Sequence, residues 1–548
     1  MLGLMQSQQL LISSILSHAA REHSEQEIVS NTIEGGTHRY TYADAEKRTM
    51  QLANILRQLG AKAGDRIGTL AWNGYRHFEI YYATSGIGLV CHTINPRLPV
   101  DQISYIINHA NDQYLFVDLN LFPLIEKLKK QLKTLKGVVV MTSQDHMPDV
   151  TTLEKIVPVH CYETSIAEQS DKIEWPEFDE NTASSLCYTS GTTDKPKGVL
   201  YSHRSTLLHA YAAQMKDSIS LGAIDCVLPA VPMFHVNAWG IPYMAPMSGT
   251  KLVFPGIGLD GASLARMMNE ERVTLSLGVP TIWHGLLQYL RETGAQLNTV
   301  KRFIIGGAAC PLALIEGFGK EHGVMVQHGW GMTELSPVGT INAPKSSIKY
   351  SNANEKYKSQ LKQGRALFGY EMKVVDDNGR ALSRDGKSFG RLLSRGHWVI
   401  SHYYENEVSH SSALDFKGWF DTGDVATIDA QSYMEIHDRT KDIIKSGGEW
   451  ISSIELENIA IGHPDVVQVA VIGAAHPKWG ERPLVIAVRA TNAKSTREDL
   501  LTFYEGKVPK WMIPDDVVFV EEIPLGATGK ILKTKLRADF AGYKLPTS

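Results

Sequence analysis

From Arg66 to Ile305 the chain alternates short apolar runs with longer stretches whose apolar residues recur at helical spacing. The runs at 114–117, 137–140, 252–254 and 303–305 are continuous enough to be strands buried on both faces. This alternation predicts an α/β fold, with helices layered over buried sheets. Between Gly369 and Asp438 the pattern shortens to strands separated by Asp-Asn-Gly, Asp-Gly and Lys-Gly turns, the mark of a small β-rich subdomain. After Lys445 a second, α+β unit begins, with a helix over 454–461 and strands over 466–472 and 484–488. Ser495-Thr-Arg-Glu498 has the form of a capping box and opens a further helix. The division expected is a large unit over 1–438 that includes the β-rich part at 369–438, a hinge over 439–445 and a C-terminal unit over 446–548. The charged segment Asp438-Arg-Thr-Lys-Asp442 reads as an exposed linker between them.

At 548 residues the chain is too long for one core, and 43% hydrophobic with 21% charged residues suits a folded globular protein. A net charge of -4 supplies no basic field for nucleic acid, so anionic ligands must be met locally. Five scattered cysteines without a C-x-x-C pair point to neither a disulfide framework nor a zinc cluster, and fit a reducing cytoplasm. The first 23 residues carry an apolar stripe at Leu10, Leu11, Ile15 and Leu16, which predicts an amphipathic helix. No run approaches the roughly 20 apolar residues that span a bilayer. Peripheral membrane contact and assembly, a homodimer included, are left open by the sequence.

Five motifs carry chemistry, the third of them in two segments. Tyr188-Thr-Ser-Gly-Thr-Thr-Asp-Lys-Pro-Lys-Gly198 follows a strand-like run, and its hydroxyls, glycines and lysines suit a phosphate cradle. A polar hairpin turn is the bland alternative, and the Walker spacing is absent. Val231-Pro-Met-Phe-His-Val-Asn-Ala-Trp-Gly240 reads by itself as a buried helix start with a satisfied histidine. Gly306-Gly-Ala-Ala309 and Gly329-Trp-Gly-Met-Thr-Glu334 put glycines at strand ends, where a flat base could lie on backbone, and Trp330 offers a stacking face. Trp419-Phe-Asp-Thr-Gly-Asp424 precedes the linker, and Pro524-Leu-Gly-Ala-Thr-Gly-Lys530 comes last.

Taken together and in this order, the segments resemble the adenylate-forming superfamily of acyl-CoA synthetases, luciferases and peptide-synthetase adenylation domains. His-Val-Asn-Ala-Trp, Trp-Gly-Met-Thr-Glu and Gly-Gly-Glu-Trp-Ile-Ser-Ser look like those of medium-chain fatty-acid–CoA ligases and 3-methylmercaptopropionate–CoA ligases. The resemblance implies a large N-terminal domain of two α/β layered sheets and a β-barrel subdomain, followed by a mobile C-terminal lid. It also implies ATP, Mg²⁺ and coenzyme A as the small molecules served. Thr189, Ser190, Gly191, Thr192, Thr193 and Lys197 would surround phosphate, while Asp194 stands where the family has glycine. Gly307, Ala308, Gly329, Trp330, Gly331 and Met332 would bed the adenine, and Thr333 would reach phosphate. Asp424 would receive the ribose, with Ile436 and Arg439 beside it, and Thr189 and Glu334 would hold the metal. The acyl group would lie among His235, Trp239, Gly278, Gly306 and Trp330, with Trp239 as the gate. Lys441 would be the hinge, and Lys445, Gly447, Gly448 and Trp450 would border the coenzyme A path. Lys530 would join carboxylate to α-phosphate. An adenylation domain feeding a carrier protein, a luciferase-like oxygenase and a binding protein without catalysis are the competing classes.

Overall fold

A computed structural model describes the chain except for Leu2, residues 190–194 and 405–412, Phe416, Asn492 and residues 527–529. Two large sheets form the N-terminal part. In the seven-stranded one the order is Val159–Cys161, Gly137–Met141, Asp112–Asp118, Arg66–Leu70, Val90–Thr93, Ala183–Tyr188 and Gly198–Ser202, parallel except for the final pair. The nine-stranded sheet has a parallel centre from Met325–Gly331 through Arg302–Ile305, Leu275–Gly278, Cys226–Pro229 and Lys251–Phe254 to Glu27–Asn31, with antiparallel strands at both ends. Parallel strands need crossovers, and the helices that supply them cover both faces, which is why these strands read as unbroken apolar runs. The helix Ser13–Glu22 buries Ile15, Leu16 and Ala19, so the N-terminal stripe packs on the protein's own core.

The β-rich part is a four-stranded antiparallel meander of Tyr370–Val375, Gly390–Gly396, Phe420–Ile428 and Met434–Arg439. Its closure is partial: Met434 bridges back to Gly364, just ahead of Arg365–Ala366 at the edge of the nine-stranded sheet. The C-terminal unit is built on a long hairpin, Val466–His476 with Gly480–Arg489, flanked by Ile444–Ser446, Glu449–Ile451 and Asp516–Phe519. Thr496, not Ser495, caps the helix Arg497–Phe503, with Asp499 closing the box. Ser495 instead donates to Asp465, which pulls it out of the capping position.

The crossing between the two parts is tighter than its charge suggested. Arg439 ends one strand and Ile444 begins the next. Asp438 is 1% exposed, where an exposed linker was expected, because its Oδ2 accepts from Ser453 N (2.7 Å) and Ser453 Oγ (2.5 Å) at the start of the helix Ser453–Ala460. Lys533 adds a bond to Ser453 Oγ at 2.5 Å and an ion pair with Glu457 at 2.7 Å. Arg537 pairs with Asp442 at 2.7 Å. Asp438→Ala leaves two buried donors unpaired, and bonds to an ionised acceptor contribute about 1.5–3 kcal/mol each. It should destabilise the C-terminal unit by about 3–6 kcal/mol, read as an earlier denaturant transition of that unit.

Candidate active site

Parallel strands bind ligands beyond their carboxyl ends, where backbone groups are unpaired and loops diverge. In the nine-stranded sheet that edge carries Gly306 and Gly307 after Arg302–Ile305, and Thr333 and Glu334 after Met325–Gly331. The segment that leads to His235 also leaves from this edge, after Cys226–Pro229. Thr189 follows Ala183–Tyr188 of the other sheet. Lys530 reaches the same edge from the C-terminal unit: a Cβ built on Gly307 would stand 3.9 Å from its Cε. The lysine charge acts on His235 and Asp424, and Asp424 and Glu334 act on the lysine in return. Residues almost three hundred positions apart thus meet at one point.

Burial and the neighbouring Arg439 push the Lys530 ammonium down to about 8, against the pull of Asp424 and Glu334. Its surface is nevertheless open to water. That hydration opposes the depression, so near neutral pH the group is a cation. His235 is pushed down to about 4 by burial and by Lys530, which makes it a neutral imidazole at neutral pH.

Asp424 is 2% exposed and ties the β-rich meander to the nine-stranded sheet. Its Oδ2 accepts from Trp330 Nε1 at 3.0 Å, and its Oδ1 lies 2.8 Å from Arg439 Nε. Burial raises its carboxyl, while Arg439 and the indole hold it down. Trp330 therefore does not present an open stacking face. It is 9% exposed, lies over Gly339 of the neighbouring strand and gives its N–H to Asp424. Gly331 is where the chain must be bare, since a Cβ there would stand 2.1 Å from Pro337 O. Gly329 is buried, Met332 is half-buried, Gly307 and Ala308 are exposed to the cleft, and Ala308 O faces His328 Nε2 at 3.3 Å. Ile436 sits on the strand beside Asp424, its N–H held by Gln363 Oε1 at 2.6 Å.

At the phosphate loop, Thr189 N donates to Lys197 O and Lys197 N to Thr189 Oγ1, at 2.9 and 3.2 Å. The hairpin alternative is thus right about backbone pairing. Ser190, Gly191, Thr192, Thr193 and Asp194 lie outside the described residues. Glu334 is 7% exposed, and burial raises its carboxyl despite a 2.9 Å bond from Tyr403 and the charges of Arg439 and Lys197. Among the described residues no group of three or more His, Cys, Asp or Glu side chains could cage a metal. One buried carboxylate that burial pushes towards neutrality fits a hard cation which keeps phosphate and water as its other ligands.

The acyl residues gather around Trp239. A Cβ on Gly306 would lie 3.0 Å from the Trp239 ring and 2.8 Å from Gly329 O, so the indole sits directly on bare backbone. Gly278 differs: its Cβ position points at Trp283, 2.7 Å away, on the far side of the sheet. It borders the site through backbone alone, since Gly306 N donates to Gly278 O at 3.3 Å. The expected helix start around His235 is absent. Val236 to Gly240 are all left-handed, with φ of 43, 51, 47, 56 and 85°. Left-handed backbone costs roughly 1–2 kcal/mol for each residue with a Cβ. Such strain needs support from its surroundings.

Gly447 and Gly448 form the tip between Ile444–Ser446 and Glu449–Ile451, with φ of 60 and 90°. Gly447 packs on Trp479, and Trp450 packs on Phe389 with ring centroids 5.6 Å apart. Lys441 and Lys445 are exposed. While Lys530 stands in the cleft, this tip is engaged with its own unit and the β-rich part. Several neighbours had no signal in the sequence: Tyr403 on Glu334, Tyr201 donating to Thr333 O at 2.6 Å, and Lys195 over the Tyr105 ring at 5.0 Å. Asn237 was also missed, although an Asn three residues ahead of a glycine could have marked it, because Asn tolerates positive φ.

Residues 16–404 match the family described as AMP-binding enzyme, and residues 455–530 match the AMP-binding enzyme C-terminal domain. The chain is 50% identical over 540 residues to 3-methylmercaptopropionyl-CoA ligase of Ruegeria lacuscaerulensis, covering 98% of this chain and 99% of the relative. It is 48% identical over 548 residues to medium-chain-fatty-acid–CoA ligase of Ectopseudomonas oleovorans, covering 100% and 99%. An anthranilate CoA ligase solved with anthranoyl-AMP shares the fold, with a TM-score of 0.84 at 23% identity and 98% of each chain covered. Both halves of the matched pattern meet around Lys530 and Asp424, and the chain belongs to the AMP-binding enzyme family.

Proposed function

We propose that the cleft joins an unbranched, medium-chain carboxylic acid or its short thioether counterpart to coenzyme A by way of an acyl-adenylate. One observation carries this reading: Lys530, delivered from the C-terminal unit, stands over Gly307 between His235 and the Asp424–Arg439 pair. A cation at that point neutralises charge where a carboxylate oxygen attacks the α-phosphorus and pyrophosphate departs. The nucleophile is already an anion, so no base is needed, and His235 borders the carboxylate as a neutral group. Thr189, Lys197 and Thr333 lie where phosphate oxygens would be met, and Asp424 keeps lone pairs for ribose hydroxyls. Glu334 would hold Mg²⁺, which when bound offsets phosphate charge. In the second step the thiol sulfur attacks the acyl carbon and AMP leaves. We place Lys441 at the pivot that withdraws Lys530 and brings Gly447 and Gly448 to the thiol's path.

The acid is inferred from the two relatives. A methylthio-propionate is a straight fatty acid with one methylene replaced by sulfur, so both relatives are named for flexible apolar chains ending in a carboxylate. Trp239 supplies the apolar surface such a chain would contact. Catalytic efficiency should rise from propionate towards octanoate, because each buried CH₂ adds about 0.8 kcal/mol. A flat or falling series would exclude the medium-chain member of the pair, and 3-methylmercaptopropionate run in the same series would then decide for the short one.

Two further outcomes are expected. Lys530→Ala should slow acyl-adenylate formation by roughly 10²-fold or more while sparing thioester formation from supplied acyl-adenylate. Gly448→Leu should do the reverse. Single-turnover release of pyrophosphate and formation of acyl-CoA separate the two steps, and equal impairment of both by either variant would reject the alternating lid. As pH rises, Lys530 loses its proton and its charge, so adenylation should fall with a midpoint between about 8 and the ordinary lysine value near 10.4. Lys530→Arg should abolish that fall in the pH–rate profile, since a guanidinium stays charged throughout.

A further inference from the structure

Between the strand Cys226–Pro229 and the helix Ile241–Ser248 the chain reverses hand for five residues, four of which carry a Cβ. Residues other than glycine visit the left-handed region singly, and a β-branched residue such as Val236 is an outlier there. Local preference cannot hold this stretch, so its neighbours must. The supports are identifiable. Ahead of the turn, Asn73 Nδ2 donates to Pro229 O and Val231 O at 2.8 and 2.9 Å, and its Oδ1 accepts from Met233 N at 2.6 Å. Tyr81 donates to Met233 O at 2.5 Å, and beyond the turn Tyr82 donates to Pro242 O at 2.7 Å.

Within the turn the support is Asn237, which is 3% exposed. Its Nδ2 donates to Ser185 Oγ at 3.0 Å, and its Oδ1 accepts from the Tyr81 hydroxyl at 3.3 Å and lies 3.5 Å from Cys187 Sγ. Ser185 and Cys187 belong to Ala183–Tyr188, the strand whose next residue, Thr189, opens the phosphate loop. Two residues after Asn237 stands Trp239, its ring against Gly306, and two residues before it stands His235. Asparagine suits this point on both counts, since it tolerates positive φ better than most residues and its amide both donates and accepts.

We infer that Asn237 is a specificity-determining positioning residue: by clamping the left-handed turn to the phosphate-loop strand, it fixes Trp239 against Gly306 and so sets which acyl chains the cleft accepts. The inference rests on the acyl site proposed above. Asn237 is buried beneath the turn and acts through Trp239. Without the clamp, the turn relaxes towards ordinary backbone, the indole leaves Gly306, and the surface that discriminates among acids is lost.

Two variants break the same bond from opposite sides. Asn237→Gly keeps the left-handed backbone unstrained and removes only the amide. Ser185→Ala removes the partner hydroxyl and leaves every residue of the turn in place. Each is assayed for kcat/KM over straight acids from propionate to dodecanoate, for the KM of ATP, and for folding by thermal melting. Both variants should change the ratio of efficiencies between the best wild-type acid and dodecanoate by roughly tenfold, through the KM of the acid. The KM of ATP should stay within about twofold. Asn237→Gly combined with Ser185→Ala should be no worse than Asn237→Gly alone, because the bond lost in Ser185→Ala is one of those the amide already gives up. An unchanged chain-length ranking in a folded Ser185→Ala protein would overturn the inference, and so would an equal loss for every acid and for ATP. Wild-type protein run in parallel tests the underlying reading separately: failure to release AMP in a coenzyme A-dependent manner would remove the acyl site itself, whatever the variants did.

Discussion

The arrangement of the cleft depends on one buried carboxylate. Asp424 comes from the β-rich meander, Trp330 from the nine-stranded sheet, and Arg439 from the last position before the chain crosses into the C-terminal unit. The indole N–H and the guanidinium each take one of its oxygens. A buried carboxylate must be matched by donors because its desolvation is costly, and here one donor comes from the nine-stranded sheet and the other from the neighbouring strand of the same meander. Arg439 keeps 42% of its side chain exposed, so solvent screens its share of the attraction. The indole bond is enclosed, so solvent screens it less.

Around that carboxylate the charges are arranged for an anionic guest. Lys530, Arg439 and Lys197 face Asp424 and Glu334, and burial has already moved the two carboxyls towards their neutral forms. A polyphosphate entering such a site meets cations whose partners are weakened, so less existing attraction has to be given up. The same balance explains how one lysine could leave without collapse, because Asp424 retains Trp330 and Arg439.

Strain and support are divided between two strands of different sheets. The left-handed turn that carries Trp239 is held mainly by Tyr81, Asn73 and the strand Ala183–Tyr188 of the seven-stranded sheet, while its ring rests on Gly306 of the nine-stranded one. Backbone bareness at Gly306 is what allows the indole to approach so closely.

The sequence by itself determined the layered α/β plan, the separate C-terminal unit and the membership of the family, because apolar periodicity, glycine at strand ends and the order of short motifs are local properties. It also marked Lys530, Asp424 and Glu334 as residues that converge. Only the tertiary structure decided how they are held. Asp438 looked like linker charge and is a buried acceptor, since Ser453 supplies donors that no spacing rule connects to it. Trp330 looked like a stacking face and is a donor to a residue 94 positions away. Ser495 lost its capping place to Thr496 through a bond to Asp465, thirty positions earlier. The left-handed run at 236–240 contradicts the preferences of its own residues, and its support comes from Tyr81 and Ser185. In each case local propensity was overruled by a hydrogen-bond partner brought near by packing, and partners distant in the chain leave no period for a sequence to display.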